Sequence, residues 1–172
     1  MDLKSKIRIF EGFPNKYISF KDITSLIKDK GAFKEVIDIM AKDLKDKDVD
    51  YVVCPEARGF IIGSTLAYAI GAGVILLRKP GKLPGELMRC DYLTEYGKDT
   101  LEMDASFLKE GDRVCIADDL LATGGTSDAA AKLIEKTGAE VVAMEFVIEL
   151  TDLNGRDMNS EYYVNSIIQY KK

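Results

Sequence analysis

Short apolar runs alternate along the chain with segments of helix-forming or small residues. Each run is rich in branched or aromatic residues and bounded by turn residues, which predicts buried strands. Strands are predicted at 49–54, 74–77, 114–117, 141–150 and 162–170. Helices are predicted at 31–46, 60–70 and 127–137, from an amphipathic stripe in the first and from closing glycines in the others. Strand–helix units with short turns predict an α/β fold, a parallel twisted sheet flanked by helices.

Two segments depart from this alternation. Residues 86–103 alternate only weakly and carry Tyr92, Tyr96 and Gly97, a pattern that predicts a long hairpin. Residues 1–30 contain a turn at Pro14 and residues at 22–24 of the types that cap a short helix, so they form a structured arm. With no repeat or low-complexity tract, we expect residues 1–172 to form a single domain.

Composition excludes several classes of function. The net charge of -5 provides no basic surface for nucleic acid. No apolar run has membrane-spanning length, and the N-terminus does not have the pattern of a signal peptide. Cys54, Cys90 and Cys115 lack ligand spacing and indicate reduced thiols and a cytoplasmic protein. The chain has no histidine, which leaves acid–base chemistry to carboxylates and lysines.

The stretch from 113 to 137 combines two opposite kinds of chemistry. A predicted strand leads into Asp118 and Asp119, then into the small-residue loop 122–126, then into a helix. Loop amides and the positive end of the helix dipole suit a phosphate dianion. The two acids suit hydroxyl groups, a divalent cation or a centre that becomes positive. The combination describes a ribose 5-phosphate site, and the alternative is an ordinary tight turn with solvated acids.

Two other predicted strands also end in charged loops. Glu56-Ala-Arg-Gly59 follows the strand at 49–54, where it forms either a ligand loop or a surface ion pair. Three cations, Arg78, Lys79 and Lys82, follow the strand at 74–77, either as a solvated loop or as a polyanion site. In an acidic chain, cations concentrated at one strand end favour a pyrophosphate site.

The run from Asp118 to Thr126 resembles the phosphoribosyl pyrophosphate (PRPP) motif of type I phosphoribosyltransferases, in the form seen in adenine phosphoribosyltransferases. Glu56-Ala-Arg-Gly-Phe60, the Arg78–Pro84 run, Glu95-Tyr-Gly97 and Phe20-Lys-Asp-Ile-Thr24 are similar to further family segments. The resemblance implies the type I fold, with a small N-terminal hood at 1–30 and a flexible hairpin loop at 83–104. Lys16-Tyr17 replaces a common Pro-Gly pair of the family, and Lys21 replaces a common arginine.

The resemblance also implies a role for each site residue. Asp118 and Asp119 would bind the ribose 2′- and 3′-hydroxyls and stabilise positive charge on the sugar. The 5-phosphate would contact Ala122, Thr123, Gly124, Gly125 and Thr126. Pyrophosphate would contact Glu56, Ala57, Arg58, Gly59, Arg78 and Lys82, with a cis peptide expected in the first of these loops. Adenine would contact Ser19, Phe20, Lys21 and Leu150. Glu95 is the acid–base candidate, brought in with Tyr96 when the hairpin closes.

The reaction implied is adenine plus PRPP giving AMP and pyrophosphate, the purine-salvage reaction, through an oxocarbenium-like transition state. Mg²⁺ would be held by pyrophosphate and ribose oxygens rather than by a dedicated protein cage. The family also implies a homodimer. Relatives that act on 6-oxopurines carry an aspartate where this chain has Ala122, which disfavours those bases. Two alternatives are a PRPP-sensing regulator that binds nucleic acid and a transferase for another base such as orotate.

Overall fold

The computed structural model describes residues 1–171 and is built around one parallel sheet. The N-terminal elements are β1 (Arg8–Glu11), β2 (Ser19–Asp22), α1 (Thr24–Lys28), α2 (Lys30–Asp43), β3 (Tyr51–Pro55), α3 (Arg58–Ile70) and β4 (Gly73–Leu77). They are followed by β5 (Leu87–Thr94), β6 (Gly97–Asp104), β7 (Arg113–Leu121), α4 (Gly125–Glu135), β8 (Glu140–Leu150), α5 (Gly155–Met158) and β9 (Val164–Tyr170). Short 3-10 turns lie at Lys4–Lys6, Ala105–Phe107 and Thr151–Leu153. The five central strands are all parallel and have the order β4-β3-β7-β8-β9.

Each face of the sheet supports its own apolar core. Along β7, Cys115 and Ala117 pack with α1, α2 and α3, whereas Val114 and Ile116 pack with α4 and the β5–β6 hairpin. This alternation follows from the two-residue period of a strand, and burial on both faces explains the continuous apolar runs. The fold class predicted from the sequence, an α/β parallel sheet flanked by helices, is confirmed. Within residues 1–171, none of the helices has the length and apolar character needed to cross a membrane.

Predicted boundaries were wrong at several ends that face the ligand site; the helix predicted from residue 127, for example, begins at Gly125. The strand predicted at 114–117 extends to Leu121, because Asp118 and Leu121 still pair with β8. The helix predicted from residue 60 begins at Arg58. Backbone pairing and helix initiation do not require apolar side chains. The apolar pattern therefore covers a shorter range of residues than the strands and helices themselves.

The hood and the hairpin lie outside the central sheet. β1 and β2 form an antiparallel pair, and Asp22 accepts a hydrogen bond of 2.9 Å from the Thr24 amide at the start of α1. β5 and β6 form the predicted long hairpin. The hairpin is joined to the end of β4 by paired backbone hydrogen bonds between Arg78 and Glu102. The hairpin is therefore fixed at its base to the carboxyl edge of the sheet, whereas the hood leads directly into α1.

A buried acid pair lies apart from that edge, between β8 and α2. Glu145 is fully buried and faces Asp43, and one oxygen of each has no donor while both are carboxylates. Tyr163 donates to Asp43 at 2.8 Å, and Asn165 donates to Glu145 at 2.9 Å. Burial and the hydrogen bond to Asp43 raise the pKa of Glu145 to about 9, although Lys47 opposes this effect. A proton on Glu145 supplies the donor that the pair lacks.

This pair predicts a pH dependence of stability. Glu145 keeps its proton in the folded protein up to a pH of about 9, but loses it near its ordinary value of 4.5 when unfolded. The free energy of unfolding should therefore fall between about pH 5 and 9, by up to about 1.4 kcal/mol per pH unit from this group. Glu145→Gln keeps a donor toward Asp43 and should flatten the slope in urea unfolding. Glu161→Gln, at an exposed site, should not; an unchanged slope in Glu145→Gln would contradict the assignment.

Candidate active site

The loop between β7 and α4 presents backbone amides to an open cleft. β7 ends at Leu121, and α4 begins at Gly125. Gly124 has a φ of 84°, a conformation that favours glycine, and it precedes the first free amides of the helix. The five residues predicted to bind phosphate, Ala122, Thr123, Gly124, Gly125 and Thr126, all line this cleft. The geometry is that of an anion site at a helix N-terminus.

The cleft has a volume of about 400 Å³ and lies at the carboxyl ends of β3 and β7, beneath the β5–β6 hairpin. A ligand site in an open parallel sheet is expected at this edge. The cleft brings together segments that are far apart in the chain. They are 55–58, Lys79, 92–101 of the hairpin, 118–127 and Phe146.

Asp118 and Asp119 have different surroundings, although they are adjacent in the chain. Asp119 is buried and accepts a hydrogen bond of 2.5 Å from Nε of Arg58. Asp118 is half-buried, and its Oδ1 accepts from the Asp119 amide at 2.8 Å. Burial and the neighbouring Asp119 raise the pKa of Asp118 well above its usual value. The pair thus consists of one acid held by a cation and one acid whose charge is disfavoured.

The loop after β3 adds the second wall of the cleft. The Glu56–Ala57 peptide bond is cis, as the resemblance implied, and Glu56, Ala57 and Arg58 line the cleft. Gly59 is buried in the first turn of α3. Glu56 accepts from the Lys79 amide at 2.7 Å and from Nε of Arg78 at 3.3 Å. Glu56 therefore holds the cationic loop after β4 beside the cleft.

That cationic loop is arranged differently from the sequence-based expectation. Lys79 lines the cleft, where it forms an ion pair with Asp99 and donates to the Tyr92 hydroxyl at 3.1 Å. Burial opposes the charged form of Lys79, but the hydrogen bond to Asp99 raises its pKa overall. Arg78 and Lys82 are not part of the cleft wall within residues 1–171 of a single chain. Their predicted contact with pyrophosphate remains a prediction.

A smaller pocket of about 100 Å³ adjoins the cleft beneath the hood. It contains all four residues predicted to contact adenine: Ser19, Phe20, Lys21 and Leu150. Ile18 and Leu120 complete its apolar wall. Lys21 donates to the hydroxyl of Ser19 at 2.5 Å, and the Arg58 guanidinium lies 5.7 Å from the centre of the Phe20 ring. We call this the base pocket, since its walls suit a flat ring with polar edges.

The hairpin tip lies between the two cavities. Glu95 and Tyr96 line both the cleft and the base pocket. Burial and the neighbouring Glu95 raise the pKa of Tyr96. The hairpin backbone also lies directly against loop 122–126, called the phosphate loop after its predicted ligand, because a Cβ on Gly125 would overlap the carbonyl oxygen of Leu93. Glycine at 125 is therefore required for this close approach.

Several wall residues were not predicted. They are Ile18, Tyr92, Thr94, Asp99 and Leu120, whereas Lys79 was predicted only as one of the three cations and without a contact of its own. Ile18 and Leu120 adjoin predicted site residues, and Lys79 lies in the cationic run, so proximity in sequence was an available signal. Tyr92 and Asp99 carry no such signal. They reach the cleft because the register of the hairpin places them opposite each other, next to Lys79.

Comparison with known proteins identifies the family. The model of the phosphoribosyl transferase domain family matches residues 23–170. The chain is 56% identical over 170 residues to an adenine phosphoribosyltransferase of Clostridium botulinum, covering 99% of each chain.

Solved structures show the same relationship. A Thermoanaerobacter pseudethanolicus adenine phosphoribosyltransferase has a TM-score of 0.95 at 47% identity, covering 98% of each chain. The Giardia lamblia enzyme, complexed with 9-deazaadenine, has a TM-score of 0.95 at 34% identity, covering 99% of this chain and 97% of its own. The chain therefore belongs to the phosphoribosyl transferase domain family and, within it, to the adenine phosphoribosyltransferases.

Proposed function

We propose that the transfer of the 5-phosphoribosyl group from PRPP to adenine, giving AMP and pyrophosphate, takes place where the cleft meets the base pocket. One observation carries this proposal. The two cavities share Arg58, Glu95, Tyr96 and Leu120, so a sugar bound between them has its base on one side and its phosphates on the other. The reacting sugar carbon would then lie beneath the hairpin tip, screened from water.

The 5-phosphate is bound in this proposal by the amides of loop 122–126. Pyrophosphate binds along the cis Glu56–Ala57 segment and Arg58, with Lys79 as an additional cation. Asp118 and Asp119 accept hydrogen bonds from the ribose hydroxyls. As a carboxylate, Asp119 stabilises the sugar when it becomes oxocarbenium-like, and the positive charge that develops there favours the carboxylate form of Asp118 as well. The support is the position of both acids between the two anion-binding loops.

The base pocket suits a purine. Phe20, Leu150 and Leu120 provide apolar surface, and Ser19 and Lys21 provide polar groups at its edge. The Giardia lamblia relative was crystallised with 9-deazaadenine, a purine analogue. Ala122 has no carboxylate to offer a 6-oxopurine, which is consistent with a preference for adenine.

Mg²⁺ fits this site as a metal that arrives with its substrate. Asp119 is already paired with Arg58, and the described residues contain no group of three or more metal-binding side chains. Oxygens of pyrophosphate and ribose would supply the ligands, with water. When bound, such an ion would neutralise charge on the leaving pyrophosphate.

The direct test is an assay of nucleotide formation with PRPP, Mg²⁺ and one base at a time. We expect AMP from adenine, and rates below about one hundredth of that value with hypoxanthine, guanine or orotate. Chelation by EDTA should stop the reaction, and excess Mg²⁺ should restore it. Nucleotide formed from another base as fast as from adenine would contradict the proposed specificity for adenine. PRPP binding without any nucleotide would instead indicate a regulator.

Glu95 is proposed as the acid–base group at the hairpin tip. Glu95→Gln removes the titratable proton and keeps the shape, so kcat should fall about 100-fold or more while KM for PRPP stays within about twofold. Glu86→Gln alters an exposed carboxylate just before the same hairpin and serves as the matched control. Unchanged turnover in Glu95→Gln would remove Glu95 from the mechanism.

We also propose a homodimer formed through the α3–β4 surface, defined by Ile61, Tyr68, Val74 and Leu76. All four side chains are exposed, Tyr68 by 90%, and β4 is an edge strand of the sheet. An apolar surface at a sheet edge is typical of a protein–protein interface. A dimer would also give Arg78 and Lys82 a route to the pyrophosphate site of the partner.

Sedimentation tests the dimer. The wild-type chain, of 19.1 kDa, should sediment at about twice that mass. Tyr68→Glu places a charge in the interface and should shift the protein toward monomer. Met158→Glu, at an exposed site on α5, should leave the mass unchanged. A monomeric wild type would exclude the proposed assembly.

The remaining proposals concern organisation and location. We propose that residues 1–172 act as one domain in which the hairpin loop at 83–104 closes over bound PRPP. A cytoplasmic location is supported by the three cysteines, Cys54, Cys90 and Cys115, which are all unpaired.

A further inference from the structure

A short turn behind the phosphate loop contacts it without reaching the cleft. We call residues 154–159 the backing turn; it contains α5 and ends at Asn159. Asn159 is completely buried. Its Nδ2 donates to the carbonyl oxygen of Gly124 at 3.2 Å and to that of Gly155 at 2.9 Å. Two carbonyl acceptors require the nitrogen end of the amide to face them.

The Gly124 carbonyl is the group on which the backing turn acts. It accepts from Asn159 Nδ2, from the Ser127 hydroxyl at 3.0 Å and from the Asp128 amide at 2.9 Å. These donors hold the carbonyl oxygen on the protein side of the loop. A carbonyl oxygen turned toward the cleft would repel a phosphate, whereas the amides of the loop attract it. The orientation of this peptide therefore affects the anion site directly.

Backbone packing prevents the loop from moving backward. A Cβ on Gly155 would overlap the Ala122 carbonyl oxygen and lie 3.0 Å from the Gly124 nitrogen. In the other direction, a Cβ on Gly124 would lie 2.6 Å from the Gly155 carbonyl oxygen. The backing turn and the phosphate loop are thus in direct main-chain contact. Any shift of the turn is transmitted to the loop.

The backing turn is itself fixed to the sheet by Arg156. The guanidinium donates to both oxygens of Glu149, at 3.2 and 2.5 Å, and to the Val164 carbonyl at 2.5 Å. Glu149 belongs to β8 and Val164 begins β9. A bidentate arginine–carboxylate pair of this kind fixes both the distance between the two side chains and their relative orientation. The phosphate loop therefore rests on a support that is anchored to two strands.

We propose that Asn159 is a positioning residue for the 5-phosphate of PRPP. It acts through the Gly124 carbonyl, which it holds away from the anion so that the loop amides remain directed into the cleft. This inference rests on the proposed assignment of loop 122–126 as the 5-phosphate site. Asn159 does not touch the substrate, so its removal should affect PRPP far more than adenine.

The first test compares Asn159→Leu with Asn165→Leu. Both replace a buried or half-buried amide donor by an apolar side chain, but Asn165 donates to Glu145, away from the cleft. Asn159→Leu should raise KM for PRPP about tenfold, with KM for adenine within about twofold. Asn165→Leu should leave both KM values within about twofold. An unchanged KM for PRPP in folded Asn159→Leu, or an equal rise in both variants, would overturn the proposal.

The second test uses sterics and does not depend on Asn159. Gly155→Ala should push against Ala122 and raise KM for PRPP, whereas Gly31→Ala, at a helical glycine whose Cβ would stay at least 3.3 Å from the Met1 and Asp29 side chains, should not. If Asn159→Leu does not fold, an unchanged KM for PRPP in Gly155→Ala shows that the backing turn does not affect the loop, and it overturns the proposal.

Amide hydrogen exchange separates this inference from the site assignment. AMP should protect the amides of 122–126 in the wild-type protein. Absence of that protection would reject the loop as the phosphate site. With protection present, Asn159→Leu should accelerate exchange at 124–126 in the free protein by about tenfold, and Asn165→Leu should not. Unchanged exchange in Asn159→Leu would reject the role of Asn159 alone.

Discussion

Close packing of main chain against main chain around loop 122–126 is the constraint on which the site depends. The Leu93 carbonyl lies against Gly125 on one side, and Gly155 lies against Ala122 on the other. Between them, the amides at the start of α4 remain directed into the cleft. An anion site made of backbone requires this kind of restraint, because a peptide that rotates presents a carbonyl oxygen to the phosphate instead.

Charge compensation is the second feature of the cleft. Asp119 is paired with Arg58, and Asp99 is paired with Lys79, so two cations are positioned beside two acids before any ligand arrives. A polyanionic substrate can draw on those cations, and the acids are then free for hydroxyl groups. Burial and the neighbouring Asp119 raise the pKa of Asp118, so an additional unpaired negative charge is disfavoured in the same cleft.

In the proposed site, the hood and the hairpin place the base relative to the sugar. Neither belongs to the central sheet, yet Phe20 of the hood and Tyr96 of the hairpin line one pocket with Leu150 from the end of β8. A site assembled from three separately folded pieces can close around the reacting carbon. The central sheet meanwhile keeps the phosphate loop and the acids in place.

Features that depend on local chemistry could be predicted from the amino-acid sequence. Alternating apolar runs predicted the parallel sheet, and the uninterrupted string from Asp118 to Thr126 predicted the acids, the loop and the family. Three features follow only from the three-dimensional arrangement: Lys79 faces the cleft, Asn159 donates to the Gly124 carbonyl, and Glu145 is buried against Asp43. These contacts join residues as much as 102 positions apart, Asp43 and Glu145 being the most distant. They depend on strand order and hairpin register, which a local pattern of side chains does not encode.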